Sequence, residues 1–159
     1  MLEYLFKGLA WSHVAAGAIG LIAFWIPVFA KKGAKNHKRY GKIFMNAGWV
    51  VVFSATISTL IKIVILLNKD VPYAEVNHAV GFLIFLQYLA LVVGTQLYYG
   101  TLVFSEKKDP TKLKNGFRIG LASLLMAASV LVIVYALVLK PSTWIVLLSL
   151  SPIGLLVGN

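Results

Sequence analysis

Residues 119–139 read IGLASLLMAASVLVIVYALVL, an uncharged run whose only polar side chains are Ser123, Ser129 and Tyr135. As a helix these residues extend about 31 Å, enough to cross the ~30 Å hydrocarbon core of a bilayer. Barrel strands alternate apolar and polar residues, whereas Val130–Val134 is unbroken apolar sequence. In lipid such a backbone must satisfy its own hydrogen bonds, so the stretch reads as a spanning helix.

The rest of the chain repeats this pattern. Apolar stretches over residues 8–30, 43–67 and 79–104 are also long enough to span. A fifth, over 142–157, is short and contains Pro152. The expected fold is an all-α polytopic transmembrane bundle in a single integral membrane domain (residues 1–159), with four spans plus a short fifth hydrophobic segment. That segment crosses a thin bilayer or lies re-entrant at its surface. Composition agrees: 60% of the 159 residues are hydrophobic and 13% charged, about half the charge of an ordinary soluble domain. Soluble classes, disordered chains and disulfide scaffolds are excluded. With no cysteine, thiolate metal sites are excluded as well. The chain stops at Asn159 without a charged anchor, which predicts a further tail.

The net charge of +10 is concentrated. Residues 31–42 carry Lys31, Lys32, Lys35, Lys38, Arg39 and Lys42, a net +6. Residues 105–118 carry five cations against Glu106 and Asp109, a net +3. Basic connections between spans mark the cytoplasmic side. This places the N-terminus, residues 68–78 and residues 140–143 outside. Nucleic acid is not the expected partner. The bilayer is, with anionic lipid head groups at His37, Lys38, Arg39 and Lys42. A topology anchor carries more weight for that segment than a specific head-group site.

Lipid gives helices no hydrophobic reason to associate, so contacts should run through small residues. Gly17, Gly20, Gly81, Gly116 and Gly120 are the expected packing positions. Gln87 and Gln96 in the third span read as interhelical hydrogen-bonding residues before they read as a substrate path.

Catalytic constellations are missing from the sequence, with no phosphate loop, no nucleophile elbow and no carboxylate inside a span. A relay or transporter built on intramembrane Asp or Glu is thereby disfavoured. His13 and His78 open the first and third apolar stretches at similar expected depth. Two neutral imidazoles facing across a bundle could hold one b-type haem or a metal. The weightier alternative is a pair of interfacial histidines hydrogen-bonded to carbonyls or water.

His13-x3-Gly17, then His37-Lys-Arg-Tyr-Gly41-Lys-Ile-Phe44, then His78 together resemble a bacterial membrane family, domain of unknown function 2306, over residues 10–100. The resemblance implies a polytopic bacterial membrane protein with recurrent histidines and supplies no activity. Members of that family run longer with more spans, which implies that this chain is shortened or reduced.

The resulting expectation is a small non-catalytic accessory or packing subunit, self-associating or part of a larger membrane complex. The alternative is a redox protein with haem between His13 and His78.

Overall fold

The computed structural model describes residues 2–68, 73–105, 116–141 and 143–158. Among these there are helices and turns and no strand. The helices are α1 (Leu2–Phe29), α2 (Lys35–Leu67), α3 (Tyr73–Ser105), α4 (Gly116–Leu139), α5 (Trp144–Leu150) and α6 (Pro152–Gly158). The first four are long and apolar enough to cross a membrane. The all-helical membrane-spanning architecture is as the sequence predicts.

The ends differ from expectation. α2 begins at Lys35, eight residues before its apolar stretch, so most of the basic segment is helical rather than loop. Lysine and arginine are good helix formers, and a helix need not end where hydrocarbon ends. α1 likewise starts at Leu2, which puts His13 near the middle of a helix rather than at its start. α3 runs back to Tyr73, so His78 lies inside it. The fifth segment is two short helices broken at Ser151–Pro152. Proline lacks the N–H that would bond Leu148 and so interrupts the ladder.

The chain divides into two compact units, Met1–Ile61 and Lys62–Asn159. In the first, α1 turns back into α2 through residues 30–34. Gly33 takes φ +86°, a left-handed conformation open to glycine without steric cost. The two helices run antiparallel, with His13 meeting Val51 and Ser54, Gly20 meeting Ala47, and Phe24 meeting Phe44. Partner numbers falling as the first numbers rise is the register of a hairpin.

The second unit is built around α4, against which α3, α5 and α6 all pack. Its core is Tyr88, Val92, Leu125, Val132, Ala136 and Leu147. Lys140 ends α4 in a left-handed conformation (φ 40°), a form in which a side chain is strained, and Pro141 follows it. Pro141 is buried against Gly81 of α3: a Cβ on Gly81 would stand 2.6 Å from the proline Cβ. Asn77 of α3 donates to the orphan carbonyl of Leu139 at 3.2 Å and so caps α4.

Candidate functional site

His13 is half-buried on α1, and its Nδ1 lies 3.2 Å from both the Val51 carbonyl and the Ser54 hydroxyl of α2. The carbonyl only accepts, so Nδ1 carries the proton. Ser54 Oγ in turn donates to Val50 O at 2.6 Å. His13 thereby ties the two helices through a polar string inside otherwise apolar sequence. Its other ring nitrogen, Nε2, holds the lone pair and is the atom able to bind a metal or accept a proton. His13 belongs to the first unit and His78 to the second, and the side chain of His78 lies outside the described residues. Their pairing around a haem stays an expectation of the sequence. Among the described residues, no group of three or more His, Asp or Glu could hold a metal ion.

His37 sits at the opposite end of the hairpin. Its Nδ1 donates to the Pro27 carbonyl at 3.1 Å. Pro27 lies in the last turn of α1, where carbonyls lose their intrahelical partners, so the imidazole caps that helix from the start of α2. Around it Lys31, Lys32, Lys35, Lys38, Arg39 and Lys42 are all exposed. An aromatic cluster adjoins this basic end: Trp25 lies edge-on to Phe24 (5.5 Å) and stacks on Phe29 (6.0 Å), while Phe24 meets Phe44 (5.6 Å). Of these aromatics, Phe24, Trp25 and Phe29 are not among the residues singled out from the sequence above. The clustering of Phe24, Trp25 and Phe29 just before the lysines was the available signal.

The predicted packing glycines fall into two groups. Gly20 lies against Ala47, its Cβ position 3.5 Å from that methyl, and Gly81 lies against Pro141. At Gly17, Gly116 and Gly120 a Cβ would meet no atom within 4 Å. Of the glutamines, Gln96 is exposed, while Gln87 keeps its Oε1 buried without a hydrogen bond. Between α1 and α2 runs an open groove of about 280 Å³ lined by Ala16, Ile19, Ile43, Asn46, Ala47 and Val50.

One polar centre was not foreseen. The Tyr88 hydroxyl on α3 donates to Ser151 O at 2.6 Å and accepts from Gly154 N–H at 2.9 Å. Ser129 Oγ of α4 stands 3.1 Å away and itself donates to Leu125 O at 2.8 Å. The hydroxyl thus supplies what the break at Pro152 removes, a partner for backbone groups that lipid cannot solvate. A tyrosine in mid-span needs somewhere to place its O–H, and that was the overlooked clue.

No protein family, curated protein or solved structure matches the chain.

Proposed function

We propose that this integral membrane helical protein is a small non-catalytic packing or accessory subunit of an inner-membrane assembly. Its N-terminus lies outside, and its basic segments rest on anionic lipid. Kinship with the domain of unknown function 2306 family belongs to the same proposal. The reading is supported above all by Gly17 inside α1 and Gly120 inside α4, expected packing positions at which a Cβ would meet no other atom within 4 Å among the described residues. Glycine in a helix interior costs about 1 kcal/mol against alanine, and close approach of another helix is the usual compensation in lipid.

The chain has no cysteine, so single-cysteine crosslinking is unambiguous. In native membranes Gly120→Cys or Gly17→Cys should crosslink to a second copy or to a partner subunit. A protein that stays monomeric in mild detergent and yields no crosslink at either position would remove the reading. A dithionite-reduced spectrum separates the redox alternative: Soret and α bands from membrane-expressed protein would replace the packing role with a haem role.

A further inference from the structure

The groove between α1 and α2 is lined almost wholly by apolar atoms, and exposed cations of α2 lie beyond one end of it. Of its six lining residues only Asn46 is polar, and it is exposed. Among the described residues its side chain makes no hydrogen bond. Arg39, Ile43, Asn46 and Val50 recur at spacings of four, three and four and share one face of α2. Lys42 stands one turn before Asn46, on the same side. Two exposed cations therefore lie about 6 and 10 Å beyond the carboxamide along the helix axis. An apolar channel that runs out, past Ile43, to paired cations matches the order in which an anionic phospholipid presents acyl chain and phosphate.

We propose that the groove holds one anionic phospholipid. An acyl chain lies over Ala16 and Ile19 of α1 and Ile43, Ala47 and Val50 of α2, and Arg39 and Lys42 hold the phosphodiester. A second copy of the chain fits less well. Two copies inserted in the same direction would bring Arg39 and Lys42 of each against those of the other, and like charges in contact oppose association. The proposal rests on the reading that the basic segment meets anionic lipid and adds to it a seat for the lipid's chain.

The full chain is reconstituted in phosphatidylcholine nanodiscs containing phosphatidylglycerol, and native mass spectrometry counts the lipid retained on release. The wild type is expected to retain one phosphatidylglycerol in preference to phosphatidylcholine. Arg39→Gln and Lys42→Gln should each lower that retention about fivefold. Ile19→Trp, on the exposed α1 wall of the groove, should lower it as well. Val50→Trp, which fills the groove from an exposed position, should abolish it. Ile19→Trp changes an exposed side chain on the other helix, so it remains informative if Val50→Trp loses helicity. Loss on charge removal with retention unchanged in Ile19→Trp and Val50→Trp would overturn the groove and leave the basic-surface reading standing. No preference for phosphatidylglycerol in the wild type would overturn both.

Discussion

Replacing Tyr88 by phenylalanine keeps the ring in the core and deletes one oxygen. That oxygen makes three contacts: to Ser151 O, to Gly154 N–H and to Ser129 Oγ. Hydrogen bonds between membrane helices average about 0.6 kcal/mol, so the three together are worth about 2 kcal/mol. The loss is bounded from above, because Gly154 N–H keeps a weaker bond to Ser151 O at 3.2 Å. Reversible unfolding in mixed detergent–SDS micelles measures it, with helicity as the global signal and Trp144 fluorescence as a probe on α5. Tyr98→Phe is the control, since its ring stays against Tyr99 and Phe117 at 5.8 and 5.7 Å. We expect Tyr88→Phe to lower stability by about 2 kcal/mol, and Ser129→Ala to couple to it in a double-mutant cycle. A loss no larger than the control's, or zero coupling, would refute the reasoning and make the hydroxyl incidental.

Further outcomes follow from the geometry and from the placing of the basic segments. Gly154→Ala drives a methyl into Ser129 Oγ and the Tyr88 hydroxyl, and Gly81→Ala drives one into Pro141; each should cost about 1–3 kcal/mol in that unfolding assay. Gly120→Ala meets nothing within 4 Å among the described residues and should leave the isolated protein unchanged or up to about 1 kcal/mol more stable, while weakening any assembly seen by crosslinking. His37→Ala uncovers the Pro27 carbonyl and should destabilise the α1–α2 hairpin by about 0.5–1.5 kcal/mol, visible as an earlier change in Trp25 emission on unfolding. A reporter fused at residue 36 or 110 should behave as cytoplasmic, and periplasmic behaviour would reverse the orientation.

The spans were legible because lipid imposes a one-dimensional rule: about twenty apolar residues, read along the chain, make a crossing. Helix ends were less so, since that rule is silent once the chain leaves hydrocarbon. Lys35 to Lys42 are basic enough to mark a side of the membrane and helical enough to extend α2 beyond it. Single residues were harder again. His13 was conspicuous, but nothing in the sequence named Ser54 or Val51 as its partners, because antiparallel register is a property of two helices together. Tyr88 was hidden among apolar neighbours as one more packing aromatic. Its role depends on a helix break 63 residues later, at Ser151.

That separation also has a consequence in time. Gly154 follows Tyr88 by 66 residues. At roughly 5–20 residues per second, translation leaves the hydroxyl without its backbone partners for about 3–13 s. Over that interval α3 and α4 are already made while the segment that completes their polar centre is still in the ribosome. The second unit thus acquires its final hydrogen-bonded state only as synthesis reaches α6.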